Sequence, residues 1–395
     1  MHDDLDAFFA AVEQLVQPEW RGRAVIVRGS PTGRGVVSTA SYEARKFGIR
    51  SAMSAAQAAR LAPPDAVWAT PRFDRYKELS DAMFAIFRDF SPFVQPVSVD
   101  EAFIDISPGP TTPVDPVSIA QQISGQIDEL GITCSIGVAT GKTVAKIASD
   151  FDKPHGITVV PPGTERAFLA PLAIELMSGI GPKTAGRLRR HGIATLGDLA
   201  SLDDRTATQL LGAHGVVTVQ RCRGIDARSV HENAPVKSVS NERTFAQDLR
   251  EPAQVHSVIE SLADRVGRRM RRKQLTGRTI HVKLRFSDFT TRTVQRTLSS
   301  PTDNEAVIGP VAEELIRSVW SPGVGVRLIG VGVTGLDEQA QQLDLFAEAE
   351  PVAGASPKLD EDRMRRLAQG LDAVRERFGD KAVVRGSRKL TPRTT

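Results

Sequence analysis

The chain is poor in cysteine. Of its 395 residues only Cys134 and Cys222 carry a thiol, and their separation supports neither a disulfide framework nor a zinc site. Both are expected to be small buried residues. Long apolar runs are also missing: no stretch approaches the roughly 18–20 residues needed to span a bilayer, so a soluble protein without membrane attachment is expected. The opening Met1-His2-Asp3-Asp4 lacks the basic and apolar regions of an export signal, which makes the cytoplasm the expected location. No internal repeat is visible, so organisation has to be read from breaks and periodicity.

What is present is the composition of an ordinary globular protein, 41% hydrophobic and 25% charged, long enough for two to four compact units. The net charge of +4 hides an uneven distribution. Between Val236 and Ser300 fourteen Lys and Arg residues face six acids, a local excess of +8 that reads as a polyanion-binding footprint. Between Asp337 and Asp362 eight acids face the single Lys358, a balance of −7 that reads as a solvated linker.

Arg23 to Val37 alternates short apolar runs, Ala24–Val27 and Val36-Val37, around a Gly/Pro/Ser turn and predicts a hairpin. Tyr76, Leu79, Met83, Phe87 and Phe90 recur at helical spacing and predict an amphipathic helix backing a sheet. Val97 to Ile106 carries two apolar stretches around Asp100-Glu101, as one bent strand or two tightly joined strands would. A helix over 119–130, a strand over 132–138 and a helix over 142–149 follow. The texture changes to short helices after Pro171, and to longer basic helices and strands after 235, such as 279–286 and 326–333. Breaks fall near 165, 230 and 337.

Asp4 and Asp6 flank Leu5 just before an apolar helix, and Asp100-Glu101 supplies two further acids between apolar strands. Carboxylates that end buried strands are costly unless paired or bound to cations. Mg²⁺ prefers such oxygens together with substrate phosphates, which makes phosphoryl transfer their natural use. Surface or helix-capping acids are the bland alternative.

Four elements in order carry a resemblance: Asp4-Leu5-Asp6-Ala7-Phe8-Phe9-Ala10-Ala11-Val12-Glu13, Thr39-Ala40-Ser41-Tyr42-Glu43-Ala44-Arg45-Lys46-Phe47-Gly48, Ser98-Val99-Asp100-Glu101-Ala102-Phe103, and Gly141-Lys142 through Ala145-Lys146-Ile147-Ala148-Ser149-Asp150 to Lys153-Pro154-His155-Gly156. Together they resemble the Y-family DNA polymerases, most closely the bacterial DNA polymerase IV branch, over about residues 1–337. The resemblance implies an α+β multidomain, right-hand-like fold. A palm would occupy 1–9 and 72–165, small fingers 10–71, a helical thumb 166–230, an α/β little finger 236–336 and a flexible tail 337–395. It implies error-prone translesion DNA synthesis from dNTPs on primer–template DNA by a monomer without proofreading. Asp4, Asp100, Glu101 and the Leu5 carbonyl would hold two Mg²⁺ ions, with Mn²⁺ a possible substitute, and Asp6 would be a structural neighbour. Thr39, Tyr42, Arg45 and Lys153 would clamp the triphosphate, aided by the backbone N–H groups of Phe8 and Phe9. Phe9 would be the steric gate under the sugar and Phe8 a core residue.

Gly179-Ile180-Gly181-Pro182-Lys183-Thr184 is similar to a helix-hairpin-helix loop, in which Gly179, Gly181, Lys183 and Thr184 would hold a DNA phosphate without reading sequence. Arg243 stands at the entry to the little finger. Gln342-Leu343-Asp344-Leu345-Phe346 resembles the pentapeptide by which bacterial polymerases bind the sliding clamp, with Gln342, Leu343, Leu345 and Phe346 as contacts. Residues 359–379, with Leu359, Met364, Leu367, Leu371, Val374 and Phe378, predict a short amphipathic helix.

Two rivals share part of this pattern. A nucleotide cyclase would explain the acids but not the basic C-terminal third; a non-catalytic helix-hairpin-helix repair protein would explain the arginines but not the acids or Lys153. The chain also departs from its family. Only Met1, His2 and Asp3 precede Asp4, where several apolar residues are usual, so either the start lies upstream or the first strand is shortened. Asp3 stands where a small apolar residue is usual, adding charge repulsion and desolvation beside Asp4 and Asp6.

Overall fold

The computed structural model describes residues 1–28, 30–107, 115–231, 235–338, 357–379 and 382–383. Its chain divides into two compact units, Met1–Ala234 and Pro235–Thr395.

The first unit runs β1 (His2–Leu5), α1 (Phe8–Val16), β2 (Val25–Val27), β3 (Thr39–Ala40), α2 (Tyr42–Lys46), α3 (Ala55–Leu61), β4 (Val67–Ala69), α4 (Phe73–Phe90), β5 (Val94–Pro96), β6 (Glu101–Ile104), α5 (Pro116–Glu129), β7 (Cys134–Val138), α6 (Lys142–Ser149), β8 (Ile157–Val159), α7 (Glu165–Leu169), α8 (Pro182–Arg189), α9 (Leu196–Ala200), α10 (Asp204–Leu211) and α11 (Gly215–Cys222). Five strands form a sheet in the order β5-β6-β1-β7-β8, with β1 at its centre. Every residue of β7 is buried, because α5 covers one face and α6 the other. Gly137 makes the second contact possible: a Cβ there would lie 1.9 Å from the Ala145 carbonyl oxygen. Removing that atom lets the α6 backbone rest on the strand, which brings Lys146 and Ser149 to the end of β1.

The predicted amphipathic helix is α4, with Tyr76, Leu79, Met83 and Phe87 in the main core beside Leu5, Phe8, Ile104, Ile123 and Ile136. The Val97–Ile106 segment forms β5 and β6 around a tight connection, with Asp100-Glu101 where β6 begins. The predicted hairpin exists, but its second strand is displaced. β3 begins at Thr39, while Val36 makes a separate bridge to Ser54. β4 then pairs parallel to β2, completing a three-stranded sheet whose small core holds Ile26, Val37, Ala40, Ala44, Ile49 and Ala58. Residues 165–222 wrap a third core around Leu169, Ile174, Leu188, Leu196 and Leu199. Both cysteines are free and buried, as composition led us to expect.

The second unit contains β9 (Ser238–Leu249), α12 (Pro252–Arg272), β10 (Leu275–Phe286), β11 (Thr291–Thr302), α13 (Glu305–Arg317), β12 (Val326–Glu338) and α14 (Pro357–Phe378). The sheet order is β11-β10-β12-β9, all antiparallel, and α12 and α13 pack on one face around Leu262, Val266, Ile280, Val282, Ile329 and Val331. The predicted C-terminal helix is α14, but it does not dock by its apolar side. Arg375 pairs with Asp264 at 2.9 Å and Asp372 with Arg271 at 2.7 Å, while Leu367, Val374 and Phe378 are exposed. Within the tail, the acids of α14 find arginines on α12.

Candidate active site

Antiparallel pairing of β1 with β6 sets Asp4 opposite Glu101, and the Leu5 N–H donates to the Asp100 carbonyl at 2.9 Å. Two neighbouring strands thus deliver Asp4, Leu5, Asp100 and Glu101 to one end of the central sheet. Strand alternation turns His2 and Asp4 to one face, and Asp3 and Leu5 to the other.

Lysines neutralise the acids on the first face. Lys153 Nζ lies 3.0 Å from Asp4 Oδ1 and 2.7 Å from Asp150 Oδ1, and Lys146 ion-pairs with Glu101. Burial opposes the Lys153 charge, but Asp4 and Asp150 outweigh it and hold its pKa above the usual lysine value; burial lowers that of Lys146. Burial also raises the Asp4 carboxyl, although Lys153 opposes the shift. Among the described residues no three His, Cys, Asp or Glu side chains could hold a metal ion by themselves. The donors are nonetheless all hard oxygens beside displaceable ammonium groups, a set that fits Mg²⁺ when substrate phosphates supply further ligands.

His2 is buried, with Nε2 2.7 Å from Glu101 Oε1 and Nδ1 2.7 Å from Ser149 Oγ. Burial, reinforced by Lys146, pushes its pKa down to about 2, so the ring is neutral. The Nε2–H therefore donates to the carboxylate, while Nδ1 rests against the Ser149 hydroxyl, which itself donates to the Lys146 carbonyl at 2.8 Å. This orients Glu101.

Asp6 has a different task. Its two oxygens accept from the Tyr42 hydroxyl at 3.0 Å, the Thr133 and Ser135 hydroxyls at 2.8 Å each, and the His155 N–H at 2.8 Å. Four donors fill its acceptor sites, so it ties β1, β7, α2 and the segment after α6 together. Tyr42 is thereby fixed, and burial together with Asp6 raises its hydroxyl pKa. The Arg45 guanidinium lies 4.6 Å over the Tyr42 ring while its Nε donates to the Ala40 carbonyl at 3.0 Å. Thr39 is half-buried on β3, one turn ahead of them.

The chain turns from β1 into α1 through Ala7, which has the left-handed φ of 44° and no capping side chain. The amides of the first helical turn are therefore uncapped by a side chain at Phe8 and Phe9. Phe8 is core, and Phe9 is half-buried with its ring stacked on Tyr76 at 4.2 Å.

In the loop before α8, Gly179 has φ 95° and Gly181 precedes Pro182 at the helix start, with open space around both glycines. Lys183 is exposed and Thr184 half-buried beside them. In the second unit Arg243 is exposed on the edge strand β9, its guanidinium 5.8 Å from the Phe245 ring.

The basic footprint needs correction. Arg271 is buried between Glu305 and Asp372, each at 2.7 Å, Arg272 pairs with Glu376, and Arg296 pairs with Glu314. The excess counted along residues 236–300 is thus partly cancelled by carboxylates from further down the chain. On the open face of the sheet, alternation presents His281, Lys283 and Arg285, with Glu242 bridging Lys283 at 3.1 Å. Gln342, Leu343, Leu345 and Phe346 lie outside the described residues.

His2, Lys146 and Glu13 were not singled out as site residues from sequence. Their only signal was a charged or titratable side chain inside an otherwise small or apolar run.

A model of the impB/mucB/samB family matches residues 4–150, and one of that family's C-terminal domain matches 236–345. A DNA polymerase IV of Streptomyces coelicolor is 44% identical over 353 residues, covering 88% of this chain and 73% of the relative. One from Alkalilimnicola ehrlichii is 42% identical over 352 residues, covering 88% and 98%. Among solved structures, a Y-family DNA polymerase chimera of Dbh and Dpo4 aligns with a TM-score of 0.72 at 26% identity, covering 84% of this chain and 97% of that one. A post-insertion binary complex of Dbh DNA polymerase aligns with a TM-score of 0.59 at 26% identity over the same shares.

Proposed function

The chain belongs to the Y-family DNA polymerases, in the DNA polymerase IV branch, and from that premise we propose that it performs translesion DNA synthesis, adding dNTPs to a primer 3′-hydroxyl without proofreading. The single observation that carries the reading is the convergence of Asp4, Asp100 and Glu101 from paired strands at one end of the central sheet. Family membership leaves the cyclase and the non-catalytic repair protein without support.

Asp4, Asp100, Glu101 and the Leu5 carbonyl would hold two Mg²⁺ ions, with Mn²⁺ able to replace them. When bound, such ions activate the 3′-hydroxyl and stabilise the leaving pyrophosphate. The neutral His2 keeps the Glu101 carboxylate aimed, and Lys146 balances its charge. Lys153 sits on Asp4, so it would exchange one anion for another as nucleotide enters. Tyr42, locked by Asp6, holds Arg45 against its ring, and Thr39 adds a hydroxyl. The uncapped amides of Phe8 and Phe9 would donate to the same anion.

By the same reading the three cores of the first unit are palm, fingers and thumb, and the second unit is the little finger. The Gly179–Thr184 loop and Arg243 would hold DNA phosphates, and residues 342–346 would bind a sliding clamp. No helix among the described residues is long and apolar enough to cross a membrane. Primer extension with Mg²⁺ tests the proposal: the parent chain should extend by single nucleotides, and Asp4→Ala or Glu101→Ala should not. Full extension by either variant would refute the assignment.

A further inference from the structure

Glu13 is a completely buried carboxylate on α1, one turn beyond Phe9. Burying such a group is costly unless partners compensate it. Here the Tyr76 hydroxyl donates to Oε1 at 2.5 Å, and the half-exposed Arg72 guanidinium lies 3.4 Å from Oε2. Tyr76, at the start of α4, lies flat on Phe9, with ring centroids 4.2 Å apart and planes 10° from parallel. Phe73 closes the group edge-on, at 6.2 Å from Phe9 and 5.8 Å from Tyr76.

These contacts form a ring of constraints. Phe9 and Glu13 are four residues apart on one helix and therefore share a face. Tyr76 touches both, the first through its ring and the second through its hydroxyl. Phe9 can tilt away from a sugar only if the Tyr76 ring yields, and Tyr76 can yield only by breaking its bond to a carboxylate carried by the same helix as Phe9. The buried charge is otherwise unexplained by the chemistry at Asp4, Asp100 and Glu101.

We propose that Glu13 is a positioning residue for sugar selection: through the Tyr76 hydroxyl it fixes the aromatic floor beneath Phe9 and so sharpens rejection of ribonucleotides. The proposal rests on the reading of Phe9 as the steric gate. Glu13 touches no substrate, and its effect passes through Tyr76.

Three variants test this, with the ratio of ribonucleotide to deoxyribonucleotide kcat/KM as the readout and thermal melting measured alongside. Tyr76→Phe keeps the stacked ring and removes only the hydroxyl. Glu13→Ala removes the acceptor, and Glu13→Gln retains an amide oxygen able to accept the same bond. Loss of one such bond should raise the ribonucleotide ratio roughly 5- to 10-fold in Tyr76→Phe and Glu13→Ala. Glu13→Gln should stay near the parent value. Phe9→Ala is the control, with a larger rise expected. If Phe9→Ala leaves the ratio unchanged, the gate reading falls and the inference falls with it. If Phe9→Ala raises the ratio but Tyr76→Phe does not, while melting temperature drops, Glu13 and Tyr76 serve stability alone and the proposal is overturned. Equal ratios for Glu13→Gln and Glu13→Ala would also overturn it. Because Tyr76→Phe preserves the packed ring, the test survives a Glu13→Ala variant that fails to fold.

Discussion

Replacing Asp3 by valine should make the protein more stable. Asp3 lies in the interior of β1 with none of its surface exposed, and neither carboxylate oxygen has a hydrogen-bond partner, although the Cys134 thiol lies nearby. A buried polar group without a partner costs on the order of 1–3 kcal/mol even when neutral. Burial also drives its carboxyl well above the usual range, and Asp4 and Asp6 push the same way. The folded chain therefore binds a proton that the unfolded chain releases above pH ~4. Unfolding releases that proton, so rising pH favours unfolding by about 1.4 kcal/mol per unit over the range where the folded carboxyl stays protonated. Valine removes both penalties. The unpartnered oxygens alone account for a gain of roughly 1–3 kcal/mol, or about 2–12 °C in Tm for a unit of this size, and the titration penalty adds to it at neutral pH. The gain should be larger at pH 8 than at pH 5, where the titration penalty is smaller. Thermal unfolding of parent and Asp3→Val at both pH values measures this. A lower Tm for the variant, or a gain independent of pH, would refute the reasoning. Primer extension should survive, because Asp3 faces away from Asp4.

Gly137→Ala should be among the most damaging small substitutions, since its Cβ would strike the Ala145 carbonyl and the Ser149 amide of α6; we expect a loss of about 3 kcal/mol or more, read by chemical denaturation. Asp6→Asn should keep the fold but weaken nucleotide binding, because an amide cannot accept from all four donors that now fix Tyr42 and its neighbours; a raised KM with a smaller change in kcat is the expected signature. Deleting Gln342 to Phe346 should leave distributive synthesis intact and abolish stimulation by the sliding clamp. Glu376→Gln should free Arg272 on α12 and steepen the salt dependence of DNA binding by about one charge, measured by titration across ionic strength.

Local pattern made much of the fold readable. The spacing of Tyr76, Leu79, Met83 and Phe87 announced α4, and apolar stretches on both sides of Asp100-Glu101 announced the strands that carry them. Contacts between distant residues were not readable. Glu101 meets His2 and Lys146 across 99 and 45 positions, and Glu13 meets Tyr76 across 63, so no local window contains them. The same limit misled the count of basic residues, because the acids that pair Arg271 and Arg272 lie 101 and 104 positions downstream. The displaced second hairpin strand has a simpler cause: Val36 found Ser54 as its partner instead of β2.

The last helix bears on where the chain can be shortened. α14 is held by Asp372 and Glu376 on three arginines of α12, and by Arg375 on Asp264, while Leu367, Val374 and Phe378 face outward. A cut before Pro357 would not trim an inert appendage. It would leave Arg271 with Glu305 and the Asp303 carbonyl, and Asp264 without the Arg375 guanidinium, shifting the electrostatic balance of the body it leaves behind. Held by charge more than by oil, the helix should loosen in strong salt, and a shortened chain should show its cost in solubility and in affinity for any polyanion rather than in turnover.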